Sequence, residues 1–520
     1  MARVLITEEL AEKGLARLRE AGHEVHVELG LAQEQVAAAV EGFHALIVRS
    51  QTQVDAAVLA AGRDLVVVGR AGIGLDNIDV EAATRQGVMV VNAPLSNVVS
   101  AAEHAMALLL SQARNVPQAD AALKGGKWAR SRWTGVELHG KTLGVVGLGR
   151  VGALVAQRAS SFGMRIIAFD PYVAHDRARQ MGIDLVDLPT LVRTADFLTI
   201  HLPRTAETKG LINEEVLRQA KPGLRIINTA RGGIVDEEAL YRVIVDGVVA
   251  GAALDVFATE PTTASPLFGL ESVVVTPHLG ASTREAQDKA GETIAEQVAL
   301  ALGGEFVPYA VNVDATEASE TVRPFLPLAE RLGRIFAALC DPPLGTIQVE
   351  YQGKLADYDT RILSLAVLKG VLGEGATYVN APQLAAEAGV DVADSRLAEA
   401  NDYVNLITMR NDRHALAGTL FGLRDEARLV MLDDHAVDIP PARHMVVVRN
   451  DDRPGMIGVV GARLGEAKVN ISDMDVGRSP SGEAALMILS TDQPVPDAVL
   501  DDLRAQSGIV RVQNLTDAGG

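Results

Sequence analysis

One stretch, residues 142–171, constrains the fold of this 520-residue chain more than any other. The apolar run 143–146 has the length of a buried parallel strand, and Gly147, Gly149 and Gly152 complete the pattern G-x-G-x-x-G where a helical pattern begins. The first glycine permits a tight turn, the second lets the backbone approach a pyrophosphate, and the third lets the helix pack closely on the strand. The stretch therefore predicts a Rossmann-type dinucleotide-binding domain.

Asp170 ends the second strand of this stretch, about 20 residues after the glycines. A carboxylate in this position accepts hydrogen bonds from an adenosine ribose and would repel a 2′-phosphate. The sequence therefore favours NAD over NADP as the cofactor. An ordinary strand-to-helix turn is the alternative for the three glycines taken alone.

The bulk composition excludes several classes of partner. A formal net charge of −19 argues against a surface for nucleic acid or an anionic membrane. The single cysteine, Cys340, rules out an intrachain disulfide. We expect a cytoplasmic protein, because the chain shows no signal-peptide pattern and no apolar run of membrane-spanning length. An anionic substrate would have to bind at a local cluster of arginines.

Alternating apolar runs and helical segments predict an α/β organisation. Residues 1–95 predict a flavodoxin-like parallel domain, and the helix at the start of 283–314 is expected to return the chain to it. Residues 96–282 contain the glycine pattern. After a polar boundary near residue 315, residues 315–441 predict a mixed α+β domain, and the order βαββαβ over 442–520 predicts a ferredoxin-like domain.

Three ionisable residues fall at strand ends after the glycine turn, namely Arg231, Glu260 and His278. Ligands bind at the carboxyl ends of the strands in open α/β sheets, so we expect these side chains to share one site. Arginine can bind a carboxylate and polarise the adjacent carbonyl oxygen. Histidine can take a hydroxyl proton as a hydride leaves for NAD, and glutamate can hold its tautomer. Each residue alone also fits a structural role, but together they predict oxidation of a 2-hydroxy acid.

Two further segments each have two interpretations. The glycine cluster at 69–79 has Asn77 in place of a third glycine, and it is either a backbone loop that approaches a small ligand or a simple turn. Residues 120–141 are basic and contain both tryptophans. They form either an exposed loop or a segment that extends to a neighbouring subunit and contributes Arg130 or Arg132 to it.

The motifs GLGRVG, NTARGGIVDEEAL, LDVFATEP and TPHLGAST resemble successive signatures of the D-isomer-specific 2-hydroxyacid dehydrogenases. The resemblance implies an NAD-dependent enzyme without a metal, in which His278 is the acid and base and Arg231 and Glu260 are also catalytic. It also implies cofactor contacts at Gly147, Gly149, Arg150, Val151, Gly152, Asp170, Leu202, Pro203, Thr229, Ala230, Arg231, Asp255, His278 and Gly280.

Over nearly its full length, the chain resembles the long branch of this family, which oxidises 3-phosphoglycerate to 3-phosphohydroxypyruvate at the start of L-serine synthesis. VRSQTQVD, VGRAGIGLDNIDVEAAT and NVVSAAEHAMALLL are similar to its N-terminal signatures, and an intervening domain followed by an ACT domain matches its C-terminal part. The resemblance implies a homo-oligomer, either a dimer or a tetramer. It implies contacts with the phosphorylated 2-hydroxy acid at Arg49, Ser50, Arg70, Gly72, Ile73, Gly74 and Asn97, and at Arg130 or Arg132 of another subunit.

ACT domains that bind serine contact it at the first strand-to-helix turn and at the start of the second strand. By this resemblance, Asn450, Asp452 and Asn470 are the candidate contacts for an L-serine effector. Asn450 stands where related sequences can have His or Tyr, so an ACT domain used only for assembly stays an alternative. Two other functions also stay open, namely reduction of another 2-oxo acid such as hydroxypyruvate or glyoxylate, and NAD sensing by an interaction protein.

Overall fold

The structure of the chain is a computed structural model that describes residues 1–313, 319–340, 342, 344–400, 402–422, 424–433, 435–478 and 484–515. The boundary predicted near residue 315 lies outside these residues. The chain divides into two compact units, and the predicted division into four domains stays a prediction. The first unit comprises Met1–Glu9, Gly14–Asn92 and Ile294–Gly520, and the second comprises Leu10–Lys13 and Ala93–Thr293.

The N-terminal part of the first unit alternates strands with helices. Its strands are rich in valine, leucine and isoleucine, which pack well in a buried parallel sheet. The elements are β1 (Arg3–Ile6), α1 (Glu12–Glu20), β2 (Glu24–Val27), α2 (Gln33–Ala39), β3 (Ala45–Val48), α3 (Ala56–Ala61), β4 (Val67–Arg70), α4 (Val80–Arg85) and β5 (Met89–Asn92). All five strands are parallel, in the flavodoxin-like order β2-β1-β3-β4-β5.

The second unit contains a sheet of seven parallel strands with an apolar core on each face. The elements are α5 (Val98–Arg114), α6 (Val116–Lys124), β6 (Thr142–Val146), α7 (Arg150–Ser161), β7 (Arg165–Phe169), α8 (His175–Gln180), β8 (Asp184–Leu185), α9 (Leu188–Thr194), β9 (Phe197–Ile200), α10 (Glu214–Arg218), β10 (Leu224–Asn228), α11 (Glu237–Val245), β11 (Val249–Leu254), β12 (Val273–Val275) and α12 (Arg284–Leu302), with 3-10 turns at Arg130–Trp133 and Pro266–Gly269. The order β12-β11-β10-β9-β6-β7-β8 reverses between β6 and β9. Ligands bind at such a switch point, at the carboxyl ends of the strands.

Helix α12 returns the chain to the first sheet. Its Ile294 packs so closely on β4 that a Cβ at Gly69 would lie 2.9 Å from the Ile294 side chain. Beyond the helix, Oδ1 of Asn312 accepts the backbone N–H of Val90 in β5 at 2.9 Å. Residues 294–313 therefore pack against and bond the sheet that the N-terminal strands form.

A six-stranded sheet covered by two helices follows in the first unit. The elements are a 3-10 turn at Arg323–Phe325, α13 (Leu326–Leu339), β13 (Thr346–Gly353), a 3-10 turn at Lys354–Asp357, α14 (Arg361–Leu372), α15 (Ala381–Glu387), β14 (Asp391–Leu397), β15 (Asn405–Arg410), β16 (Ala415–Phe421), β17 (Glu426–Leu432) and β18 (His435–Ile439). The order is β14-β13-β15-β16-β17-β18, with only β13 and β14 parallel to each other. A Cβ at Gly370 would overlap the carbonyl oxygen of Glu330, so α13 and α14 pack with their backbones in contact.

The last described segment has the order βαββαβ. Its elements are β19 (Met445–Asp451), α16 (Met456–Glu466), β20 (Ile471–Arg478), β21 (Ala484–Thr491), α17 (Asp497–Ala505) and β22 (Ile509–Asn514). The four strands are antiparallel in the order β20-β21-β19-β22, which is ferredoxin-like. Asp438 of β18 donates its N–H to Oδ2 of Asp475 in β20 at 2.8 Å, so this segment is bonded to the six-stranded sheet.

The fold class predicted from the sequence is confirmed, from the flavodoxin-like and Rossmann-type sheets to the α+β and ferredoxin-like ones. No helix among the described residues is both long enough and apolar enough to cross a membrane.

Candidate active site

The predicted glycine turn connects β6 to α7. Gly147 has a φ of +95°, and a Cβ there would lie 2.8 Å from the carbonyl oxygen of His201. A Cβ at Gly152 would overlap the carbonyl oxygen of Gly147, so glycine is needed where the helix packs against the turn. Gly149 is the N-cap of α7, and an added Cβ there would meet open space. The turn therefore fits a pyrophosphate, which could approach the N–H groups at the start of α7.

Asp170 directly follows β7 and bonds to the same turn. Its Oδ2 accepts the N–H of Leu148 at 2.8 Å, and its Oδ1 accepts the N–H groups of Tyr172 at 2.9 Å and Val173 at 3.2 Å. Because a carboxylate oxygen has two lone pairs, Oδ2 can still accept a hydrogen bond from a ribose hydroxyl. The other residues predicted for this side of the cofactor lie in the first turn of α7 and just after β9, and they are Arg150, Val151, Leu202 and Pro203.

Thr229 and Ala230 follow β10, and the hydroxyl of Thr229 is buried. This Oγ1 has no hydrogen-bond partner among the described residues. A Cβ at Gly280 would lie 3.9 Å from the carbonyl oxygen of Thr229, so the loops after β10 and β12 meet at this point. Buried hydroxyls normally have a partner, and a bound ligand would supply one here. The glycine turn can accept a pyrophosphate and this hydroxyl can bond a ligand, so both features are compatible with bound NAD.

His278 and Glu260 contact each other. Nδ1 of His278 lies 2.6 Å from Oε2 of Glu260, and Oε1 of Glu260 accepts the N–H of Phe257 at 2.8 Å. Burial alone would raise the pKa of Glu260, but its hydrogen bonds with His278 and Phe257 outweigh this effect and the pKa is lowered. Glu260 is therefore an ionised acceptor at neutral pH, so Nδ1 of His278 bears the proton. Nε2 of His278 is then left to exchange a proton with a substrate.

Asp255 holds the loop in which His278 lies. His278 has a φ of +54°, a conformation that non-glycine residues seldom adopt. The carbonyl oxygen of Asp255 accepts the N–H of His278 at 2.9 Å, and its carboxylate accepts the N–H groups of Leu279 at 2.7 Å and Gly280 at 2.8 Å. The carboxylate is fully buried, which would raise its pKa, but the hydrogen bonds that it accepts lower the pKa overall. The sequence predicted a cofactor contact for Asp255 and missed this loop-holding role.

Arg231 lies in a tight turn after β10. Oδ1 of Asn228 accepts the N–H of Ala230 at 3.1 Å, and its Nδ2 donates to the carbonyl oxygen of Arg231 at 3.0 Å. A Cβ at Gly232 would overlap the carbonyl oxygen of Phe257, so the turn packs against the loop that leads to Glu260. The structure thus brings the backbone segments of the three predicted catalytic residues onto neighbouring strand ends.

Glu237 supports the Glu260 loop and was not predicted from the sequence. Its Oε1 accepts the N–H of Ala258 at 2.5 Å, and burial raises the pKa of Glu237. An acidic residue in the first turn of a helix such as α11 is commonly explained by the helix dipole. The sequence therefore gives no sign that this side chain reaches a loop 21 residues away.

The first predicted substrate contacts, Arg49 and Ser50, follow β3 in the first unit. Oε1 of Glu8 accepts the N–H of Arg49 at 2.8 Å, and Oε2 accepts the N–H of Ser50 at 3.2 Å. Nδ2 of Asn77 donates to the carbonyl oxygen of Arg49 at 2.9 Å. Glu8 was missed in the sequence, although an acidic residue just after a buried parallel strand is a signal that could have revealed it.

The second predicted substrate loop follows β4, also in the first unit. Arg70 is the last residue of that strand, and a Cβ at Gly72 would overlap its guanidinium. Nδ2 of Asn92 donates to the carbonyl oxygen of Ile73 at 2.8 Å, and Gly74 follows. The glycine cluster is therefore a bonded loop at the carboxyl end of β4, and its contact with a substrate stays a prediction.

The remaining predicted substrate residues lie in the second unit. Asn97 is the N-cap of α5, and its Oδ1 is buried without a hydrogen-bond partner among the described residues. Arg130 is exposed at the start of a 3-10 turn. Arg132 forms an ion pair with Glu271 of its own chain, and both side chains are more than half exposed. If Arg132 contacts the substrate of another subunit, as the sequence predicts, its ion pair with Glu271 has to break.

The residues predicted to bind serine lie in the ferredoxin-like segment. Asn450, in β19, is buried, and its Oδ1 has no hydrogen-bond partner in the described part of the chain. Asp452 follows β19 and is exposed. Asn470 precedes β20, and its N–H donates to Oδ1 of Asp492 at 3.0 Å. An unpartnered buried amide oxygen is compatible with a ligand that donates a hydrogen bond.

Comparisons with known proteins agree with this architecture. Residues 106–280 match the family model of the D-isomer specific 2-hydroxyacid dehydrogenase, NAD binding domain. Residues 321–433 match the D-3-phosphoglycerate dehydrogenase intervening domain, and residues 444–508 match the ACT domain.

Curated relatives match nearly the full chain. D-3-phosphoglycerate dehydrogenase of Mycobacterium tuberculosis is 47% identical over 507 residues, covering 95% of this chain and 96% of the relative. D-3-phosphoglycerate dehydrogenase of Archaeoglobus fulgidus is 42% identical over 522 residues, covering 98% of each chain.

Solved structures of related enzymes match about three fifths of this chain. The D-lactate dehydrogenase from Aquifex aeolicus complexed with NAD and lactic acid has a TM-score of 0.54 and 26% identity, covering 61% of this chain and 100% of that chain. The apo D-lactate dehydrogenase from Escherichia coli has a TM-score of 0.54 and 26% identity, covering 60% of this chain and 100% of that chain. The chain is thus an NAD-dependent oxidoreductase, and it belongs to the D-isomer-specific 2-hydroxyacid dehydrogenases, within their D-3-phosphoglycerate dehydrogenase branch.

Proposed function

We propose that the chain oxidises 3-phosphoglycerate to 3-phosphohydroxypyruvate with NAD, as the first step of L-serine synthesis, and catalyses the reverse reduction. The observation that supports the chemistry most directly is the 2.6 Å contact between His278 and Glu260 at the strand ends beside the glycine turn. The full-length similarity to relatives named D-3-phosphoglycerate dehydrogenase supports the choice of substrate. The cytoplasmic location expected from the sequence stays a prediction.

Each of the three proposed catalytic residues has a separate role in the oxidation. Arg231 binds the substrate carboxylate with charge-assisted hydrogen bonds. Nε2 of His278 accepts the proton of the C2 hydroxyl as the C2–H bond breaks and its electron pair leaves as hydride. Glu260 keeps the proton of His278 on Nδ1 and stabilises the imidazolium that forms. Bound NAD would supply the hydride acceptor.

The substrate phosphate needs positive charge that a chain of net charge −19 must concentrate locally. Arg49 and Arg70 lie at successive strand ends of the first sheet and are the proposed source within the chain. Arg130 or Arg132 of another subunit would add to it, and this contribution goes together with the proposed homo-oligomer, a dimer or a tetramer.

L-serine is the proposed feedback effector. Asn450, Asp452 and Asn470 are its proposed contacts, and the unpartnered Oδ1 of Asn450 supports a ligand in this position. The alternative is an ACT domain that serves assembly alone, which predicts no response of the enzyme to serine.

The decisive measurement is NADH oxidation with 3-phosphohydroxypyruvate, compared with unphosphorylated hydroxypyruvate and repeated with L-serine. We expect a strong preference for the phosphorylated acid and inhibition by serine. His278→Ala should lower turnover by a factor of about 10² to 10⁴, because the proton acceptor is lost, with NADH binding retained. His139→Ala, at an exposed histidine of the same unit, is the matched control.

A different result would contradict each part of the proposal. Equal rates with both acids would assign the enzyme to a broader 2-oxo acid reductase, such as one for hydroxypyruvate or glyoxylate. Full turnover in His278→Ala would contradict the mechanism. NADH binding without turnover on any 2-oxo acid would favour NAD sensing.

A further inference from the structure

His104 lies on α5, and its imidazole faces the buried carboxylate of Asp255. Nε2 of His104 is 3.2 Å from Oδ1 of Asp255 and 3.2 Å from Oγ1 of Thr276. The His104 side chain is only 18% exposed, and the Asp255 side chain is fully buried. The mechanism proposed for Arg231 and His278 gives this histidine no part.

The neighbours of His104 determine where its proton lies. Oγ1 of Thr276 lies 2.6 Å from Oδ1 of Asp255 and donates its only hydrogen to that oxygen. The hydroxyl oxygen of Thr276 is therefore an acceptor toward His104, and the carboxylate of Asp255 is an acceptor as well. Because both atoms that face Nε2 are acceptors, His104 must donate from Nε2 whether or not the ring is charged.

We infer that His104 is a positioning residue that holds the loop 278–280 through Asp255. The carboxylate of Asp255 accepts the N–H groups of Leu279 and Gly280, which directly follow His278. A buried carboxylate that loses a donor becomes less favourable in that orientation, so it would rotate or draw in water. Either change would loosen the loop and, with it, the contact between His278 and Glu260. The inference rests on the proposed role of His278 and extends it to helix α5.

Two substitutions separate the donated hydrogen bond from the bulk of the side chain. His104→Gln keeps an N–H donor of similar reach, whereas His104→Leu fills the space without one. If His104→Leu shows no cooperative unfolding, His104→Asn replaces it, because the shorter amide does not reach Asp255. The matched control is Gln112→Leu, at a buried residue of the same helix whose Nε2 donates to the carbonyl oxygen of Ser272 at 2.6 Å. Ser272 precedes β12, so this bond lies at the end of the strand away from His278.

The expected kinetic result is a loss of turnover without a loss of cofactor binding. In His104→Leu, kcat for 3-phosphohydroxypyruvate should fall by a factor of about ten or more, while the Kd of NADH changes less than about twofold. His104→Gln should stay within about threefold of the wild-type kcat, and Gln112→Leu should do the same. Equal losses in the Leu and Gln variants of His104, or an equal loss in Gln112→Leu, would overturn the inference.

Amide hydrogen exchange of the cofactor-free protein tests the same inference without turnover. The N–H groups of Leu279 and Gly280 should exchange about tenfold faster in His104→Leu than in the wild type, and at the wild-type rate in Gln112→Leu. Unchanged exchange at these amides would overturn the inference, as would faster exchange with an unchanged kcat. If the wild type did not turn over 3-phosphohydroxypyruvate, the proposed substrate would fail while the exchange experiment still decided the role of His104.

Discussion

Within each unit, acidic side chains hold loops that contain proposed site residues. Glu8, Glu237 and Asp255 each accept backbone N–H groups from a loop that contains proposed substrate-binding or catalytic residues. An ionised acceptor forms stronger hydrogen bonds than a neutral one, and its two oxygens can serve several donors. A single residue can therefore fix a segment that has no regular secondary structure. Arg49, for example, follows β3, and its backbone is bonded by the side chains of Glu8 and Asn77.

His201, next to the glycine turn, should make stability depend on pH. Its Nε2 lies 2.9 Å from Oγ1 of Thr199, and burial lowers the pKa of His201 from 6.5 to about 4. Between these values the unfolded chain binds a proton that the folded chain does not, so stability is full above pH 6.5 and falls as the pH drops toward 4. At pH 5.5 the loss should be roughly 1 kcal/mol.

Melting temperatures of the cofactor-free protein at pH 7.5 and at pH 5.5 test this dependence. His201→Gln, which removes the titrating group, should show a smaller fall in melting temperature than the wild type. His175→Gln, at an exposed histidine, should fall as the wild type does. The prediction would be contradicted if all three proteins lost the same number of degrees.

Among the elements, α13 and α14 pack against each other at a glycine. A Cβ at Gly370 would overlap the carbonyl oxygen of Glu330. Gly370→Ala should therefore destabilise the protein by about 1–2 kcal/mol, because overpacking outweighs the higher helix propensity of alanine. The midpoint of urea unfolding measures this change.

Gly465→Ala is the control for the helix propensity. Gly465 lies in α16, and a Cβ there would meet no atom within 4 Å. This change should be neutral or stabilising by up to about 1 kcal/mol. A Gly370→Ala protein as stable as Gly465→Ala would mean that the two helices separate without cost.

Local patterns predict the elements of this chain well and the bonds between them poorly. The strand, glycine turn and helix at 142–171 could be predicted because each glycine has a local backbone reason, and His278 could be singled out because it follows a strand. Glu237 and His104 could not be predicted, since their partners lie 21 or more residues away and no periodic pattern encodes a single long-range hydrogen bond. The contact of α13 with α14 at Gly370 was missed for the same reason, because a glycine within a helix does not reveal what packs against it.

At the scale of the whole molecule, the first unit joins the ferredoxin-like segment to the six-stranded sheet by side chains as well as by the chain itself. Arg449 of β19 forms an ion pair with Asp433, which also lies 3.1 Å from Nδ1 of His414. The side chains of Arg449 and Asp433 are 22% and 15% exposed, so water screens their pair weakly.

Arg449→Gln should allow the ferredoxin-like segment and the six-stranded sheet to unfold in separate transitions. Removing one partner costs about 3–5 kcal/mol in well-buried pairs. The cost here should be smaller, because His414 and the N–H of Ala415 still contact the Asp433 carboxylate. In calorimetry, we expect the variant to unfold with an additional low-temperature transition that the wild type lacks. Arg428→Gln breaks a more exposed pair with Asp438, whose side chain is 76% exposed, and should leave the unfolding profile unchanged. Identical profiles for both variants would refute the coupling.

The return of the chain to the first sheet through α12 affects how the protein is made on the ribosome. The strands β1 to β5 end at Asn92, but Ile294 and Asn312, which pack on β4 and bond β5, are synthesised some 200 residues later. Synthesis proceeds at roughly 5–20 residues per second, so about 10–40 s pass between the synthesis of β5 and that of Ile294 and Asn312. During that interval the face of β4 beside Gly69 lacks its native cover. Apart from Leu10–Lys13, the second unit is one continuous segment, Ala93–Thr293, and it can fold during this interval. The order of synthesis therefore favours the unit in the middle of the chain over the one that begins it.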